Sequence, residues 1–230
     1  MNLKIVLVVG LIFLFAVSSG GICYLVMGGP DLEAAYQNGK AEAVQKTQAG
    51  EIPHTVQVKN SWDRPVRVLS GTLLTGDGSG GLVIASTVTV PAGSSVEVPA
   101  YSTEPEKRTV PGSKLKPTGQ APGLIRDVIS SSNPDNPDEA MKTQLKIWVL
   151  ARGDKLDIYR GEVYAAVKKR DMRFYQLKER LEAVKAELKA DYGLTDDELS
   201  AADINSPILN RSSPLRILSL IKTIYPGAGQ

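Results

Sequence analysis

The first 29 residues constrain this chain more than any other part. From Leu3 to Met27 the run LKIVLVVGLIFLFAVSSGGICYLVM holds a single charge, Lys4. At about 1.5 Å of rise per residue, a helix of that length reaches across a hydrocarbon layer of about 30 Å. Residues 1–29 therefore read as a transmembrane signal anchor, with Leu3, Leu11, Phe13, Phe15 and Leu25 as apolar anchor positions. A cleavable secretory signal is the competing reading, since Ala16, Ser18 and Ser19 supply small residues after an apolar stretch. The apolar stretch resumes at Ile22 and runs on to Met27, which favours retention. A lipoprotein site at Cys23 is a third reading, and there Ile22 stands where a small residue is expected. Gly10, Ala16, Ser18, Ser19, Gly20 and Gly21 would also permit close helix approach within a membrane.

Charge near the ends of this run gives a direction. Lys4 precedes it, and Asp31 and Glu33 are the first charges after it, so the expectation is a cytoplasmic N-terminus and an extracytoplasmic body, in a periplasm or outside the cell. The lone cysteine lies within the run, so no disulfide forms within the chain.

The body offers little chemistry. With 27 Lys and Arg against 25 Asp and Glu the chain is nearly neutral, which gives no nucleic-acid footprint. One histidine, His54, excludes multi-histidine metal sites and reads as a surface residue at the start of a strand. Asp127, Asp138, Glu139 and Asp154 show no paired arrangement and read as caps and loop acids. The expectation is a protein that is not an enzyme, with no catalytic, cofactor or metal site.

Residues 30–50 read as a juxtamembrane helical stalk, started by Pro30 and Asp31, weakened at Gly39 and stopped at Gly50. Residues 51–170 read as a β-rich domain with inserted helices. Val56, Val58, Val66 and Val68 alternate as strands do, and Trp62 is a core or edge anchor. The run from Gly76 to Gly81 lacks the Gly-Lys-Ser/Thr ending of a phosphate loop and reads as a hairpin tip. The proline-studded crossing from Ser102 to Gly123 is expected to be neither a central strand nor a helix. Two helices follow, from Gly123 and from Pro137.

Residues 171–230 read as a helical C-terminal region. Phe174, Leu177, Leu181, Val184 and Leu188 recur at steps of three and four, and Leu218, Ile221 and Tyr225 belong to an apolar tail helix. Phe174, Leu177, Leu181, Leu218, Ile221 and Tyr225 are the candidate partner contacts. The fold class expected is α+β: an N-terminal single transmembrane helix, then a small antiparallel β-sheet or sandwich, then C-terminal helices. The function expected is a noncatalytic, membrane-anchored accessory subunit that stabilises a larger membrane assembly on its extracytoplasmic side. Its partners would be membrane lipid and integral membrane proteins, with no nucleic acid.

A second reading comes from a resemblance. A strand ending in Val98-Pro99-Ala100-Tyr101 leads through a proline-rich crossing to a short Ala121-Pro122-Gly123-Leu124-Ile125-Arg126 helix. A further helix then carries Gln144-Leu145-Lys146-Ile147-Trp148. Over residues 90–152 this order resembles the bacterial thioester domains of surface adhesins. The resemblance implies a cysteine after the strand, joined to the glutamine of a Gln-x-x-Ile-Trp helix in an internal thioester that captures nucleophiles. Gln144 matches that glutamine, and Ser102 stands where the cysteine is expected. Without the sulfur no thioester forms, so the resemblance implies a cell-surface adhesion or ligand-binding module on a degenerate scaffold.

Overall fold

The structure is a computed structural model, and it describes residues 29–210. Its first element is a short helix, α1 (Leu32–Gln37), capped by the Asp31 carboxylate, which accepts from the Ala34 N–H at 2.8 Å. Gly39, at φ 65°, turns the chain out of the helix and into strand β1 (Ala41–Gln45). The helical stalk expected over residues 30–50 is corrected accordingly. Ala41, Ala43 and Gln45 are buried on one face of β1, which is a strand's period of two. Backbone pairing on both edges of β1, with β2 and β8, outweighs the helix preference of its alanines and glutamate.

The remaining strands are β2 (His54–Asn60), β3 (Val66–Val68), β4 (Thr72–Gly76), β5 (Ser79–Ile84), β6 (Val88–Val90), β7 (Ser95–Ser102) and β8 (Lys114–Gln120). Six of them close into an antiparallel barrel in the order β1-β2-β7-β5-β4-β8, and β3 pairs with β6 in a separate two-stranded sheet. The open sheet or sandwich expected from sequence is therefore a closed barrel. Closure depends on β8, which pairs with both β1 and β4 and comes from the crossing expected to hold no central strand. Pro117 sits within β8 opposite Leu74, where the register with β4 shifts between Thr72 and Leu74. Such an irregularity is where a ladder tolerates the missing N–H. The glycine run is a tight hairpin: Gly76 pairs with Ser79 across Asp77 and Gly78.

Alternation sorts the side chains into two cores. Val56, Val58, Leu82, Ile84, Val98 and Leu115 fill the barrel together with Leu32 and Ala35 of α1. Val83 and Tyr101, from β5 and β7, belong instead to the core under the helices. These two adjacent strands are thus covered on both faces.

The helices are α2 (Gly123–Ser130), α3 (Pro137–Arg152), α4 (Gly161–Lys169), α5 (Phe174–Tyr192) and α6 (Asp196–Ser200). Helix α3 starts at Pro137 as expected, with the Asn136 side chain accepting from the N–H groups of Asp138 and Glu139. It is the centre of this layer: Met141, Leu145, Ile147, Trp148 and Val149 are buried. Leu177, Leu181, Val184 and Leu188 of α5 lie in the same core. Each such side chain contributes about 1.5–3 kcal/mol when fully buried.

The membrane-crossing helix of the expected fold is also corrected. Among the described residues no helix is long and apolar enough to cross a membrane. The longest of them, α5, has 19 residues and carries charges from Lys178 to Asp191. The expected span, with Leu3, Leu11, Phe13, Phe15 and Leu25, lies outside the described residues, so the single-pass membrane placement has no support in the fold.

Candidate functional site

The two positions singled out by the thioester resemblance meet. Strand β2 begins only at His54, opposite Ala100, so the outer edge of β7 lacks a strand partner by the time it reaches Ser102. Gln144, on the buried face of α3, supplies the missing groups. Its Nε2 donates to the Ser102 carbonyl at 2.7 Å, and the Ser102 N–H donates to its Oε1 at 2.8 Å. Both residues are completely buried. Among the described residues the Ser102 hydroxyl has no hydrogen-bond partner. A hydroxyl sealed from solvent, with no base beside it, is not a working nucleophile; the carboxamide here acts as a substitute strand, joining barrel to helices.

His54 is placed differently from its expected surface position. It is fully buried, and its Nε2 lies 2.9 Å from Oε1 of Glu162, also fully buried, in the first turn of α4. Glu162 Oε1 also accepts from the Gly50 N–H at 2.6 Å. Its Oε2 accepts from the Thr109 N–H at 3.0 Å and faces the Thr109 hydroxyl at 3.2 Å. On the other side of the ring, Nδ1 lies 3.3 Å from Gln45 Nε2 and 3.2 Å from Thr47 Oγ1. That hydroxyl already accepts from the Thr55 N–H at 3.0 Å and the Gln45 amide at 2.9 Å, which leaves its own proton for Nδ1. The assignment consistent with these donors puts the ring proton on Nε2, facing the carboxylate.

Burial pushes the Glu162 carboxyl upward, but the contact with His54 and the N–H groups of Gly50 and Thr109 outweigh it and hold the pKa below its ordinary 4.5. The carboxylate ties α4, the loop before β2 and the crossing before β8 into one unit. Sequence reasoning missed Glu162, because nothing near Gly161-Glu162 signals a partner in a distant strand.

No family model, curated protein or solved structure matches this chain. Among the described residues no group of three or more His, Cys, Asp and Glu side chains is placed to hold a metal ion. Of the acids considered from sequence, Asp154 lies 3.6 Å from Lys185, and the backbones of Asp138 and Glu139 take part in the Asn136 cap.

The accessible chemistry lies on the helical side. Tyr159 and Tyr175 are 58% and 56% exposed. The Tyr159 ring lies 4.8 Å from that of Phe174, centroid to centroid, and Phe174 stacks on Tyr164 at 6.2 Å. Lys168 Nζ lies 5.6 Å from the centre of the Tyr164 ring. Among the described residues neither Lys168 nor Arg173 is in an ion pair. Of the candidate partner contacts, Phe174 belongs to this surface, whereas Leu177 and Leu181 are buried within the chain. Leu218, Ile221 and Tyr225 lie outside the described residues.

Proposed function

We propose that this chain is a noncatalytic binding subunit that docks on a protein partner through the ring cluster of Tyr159, Tyr164 and Phe174, with the exposed Tyr175 next to it in the chain. The exposed ring cluster is the observation that carries the proposal. Large aromatic side chains gathered at one accessible place are the side chains that dominate interface energetics. Lys168 borders it, 5.6 Å from the centre of the Tyr164 ring, and among the described residues is in no ion pair, which supports a carboxylate on the partner opposite it. His54, Glu162 and the Ser102 hydroxyl are sealed from solvent, and His54 and Glu162 are engaged with each other.

The test is cross-linking of the tagged full-length chain in its native cells, followed by mass spectrometry, compared with a Tyr159→Ala/Tyr175→Ala variant. Cross-links from Lys168 to acidic segments of one partner are expected for the unmodified chain and lost in the variant, with its circular dichroism unchanged. Cross-links that persist in the variant, or a chain that yields only free monomer, would refute the reading.

A second reading is a noncovalent ligand-binding module on a scaffold akin to thioester domains, in which the sealed contact of Ser102 with Gln144 would hold the scaffold together. That reading uses the same pair of positions with a hydroxyl in place of a thiol.

A further inference from the structure

A cleft of about 550 Å³ opens on the outside of the barrel. Its walls are the outward side chains of β4 and β8, the turn from Thr103 to Lys107, and the segment from Ile204 to Asn210. The volume lies within the range of about 300–1,000 Å³ typical of small-molecule sites. We infer that this cleft binds a short neutral saccharide, and the inference stands apart from the protein-docking surface.

Charge supports that class of ligand. The cleft holds one carboxylate and one ammonium, Glu104 and Lys107, and they pair with each other at 2.7 Å. Glu104 is further engaged by the Gly81 N–H at 2.8 Å. No charge is left over to select an anionic or cationic head group. The other polar groups are hydroxyls and amides, those of Thr75, Thr103, Thr118, Gln120, Asn205 and Asn210. Such groups both donate and accept, as sugar hydroxyls do. Leu73, Pro122 and Ile204 add apolar surface for the C–H face of a ring.

Two details indicate a built site. Thr103 is only 4% exposed and presents its hydroxyl on a side chain that lines the cleft. Gly81 keeps that hydroxyl clear: a Cβ there would lie 2.9 Å from Thr103 Oγ1 and 3.2 Å from the Glu104 carboxylate. The backbone at Gly81 does not need glycine for its φ, so the residue serves the space.

The inference is tested by amide NMR of the ¹⁵N-labelled full-length chain, titrated with maltose, cellobiose and N,N′-diacetylchitobiose, and separately with glycine and citrate. At least one disaccharide is expected to shift the Gly81, Thr103 and Asn205 amides to saturation below about 20 mM, while glycine and citrate do not. Thr103→Val, nearly the same shape, should weaken that binding about fivefold and leave distant amides in place. The inference is overturned if no disaccharide saturates, if the shifts fall elsewhere, if the charged probes bind instead, or if Thr103→Val binds equally well.

Discussion

Gln144 and Ser102 are joined at both ends of one carboxamide, at 2.7 and 2.8 Å, in a place from which water is excluded. A side chain of the same length without the amide would leave a buried N–H and a buried carbonyl without partners. Gln144→Met should therefore cost about 2–4 kcal/mol, the loss of two desolvated backbone groups at about 1–3 kcal/mol each with partial relaxation. Urea unfolding followed by tryptophan fluorescence measures it. A cost below about 1 kcal/mol would show that the pair does not bind barrel to helices.

The same pair allows the scaffold resemblance to be tested directly. In Ser102→Cys, a thiol stands on the residue whose backbone the Gln144 amide bonds. If the scaffold is of thioester type, the sulfur attacks the amide carbon, the C–N bond breaks and ammonia leaves. Intact mass spectrometry should then read a mass lower by one ammonia and no titratable thiol at that site. An unchanged mass with a free thiol would remove the resemblance from consideration.

Glu162 links stability to pH. Its carboxyl is held below its ordinary value in the folded chain, so the unfolded chain binds the proton more readily. The carboxylate's contribution is complete above its unfolded pKa and is lost as pH falls through the lower folded value, a window that opens below about pH 5. Urea midpoints measured from neutral pH to pH 3 should fall more steeply for the native chain than for Glu162→Gln, which has no proton to gain. Parallel pH profiles would show that the folded chain does not favour this carboxylate.

What could be read from the sequence was local. Pro137 at the start of α3 and the apolar seam of α5 are each specified within a few neighbouring residues, and each appears in the fold. The strands that close the barrel are not specified in that way. Ala41–Gln45 consists largely of helix-tolerant residues and becomes β1 because β2 and β8 offer edges on both sides. Lys114–Gln120 contains a proline and becomes β8 because a register shift accommodates it. His54 was misplaced for a related reason: its burial depends on Glu162, far along the chain. In the candidate site the resemblance named Ser102 and Gln144, but no spacing in the sequence says that they touch. Of the ring cluster, the helical period marks Phe174, whereas Tyr159 and Tyr164 lie on other segments and carry no such signal.

Trp148 separates packing from hydrogen bonding in the core. It is fully buried in α3, yet among the described residues its indole N–H has no partner. Trp148→Ala removes the whole ring system and should cost about 3–5 kcal/mol. Trp148→Phe also loses buried area, but it removes a buried donor whose lack of a partner itself costs about 1–3 kcal/mol. The two effects oppose each other, so Trp148→Phe should fall within about 2 kcal/mol of the native chain. Thermal unfolding of the three proteins, monitored by circular dichroism because the fluorophore changes, gives the comparison. If Trp148→Phe is as destabilised as Trp148→Ala, the indole N–H is satisfied in solution, and the side chain is held by a hydrogen bond as well as by packing.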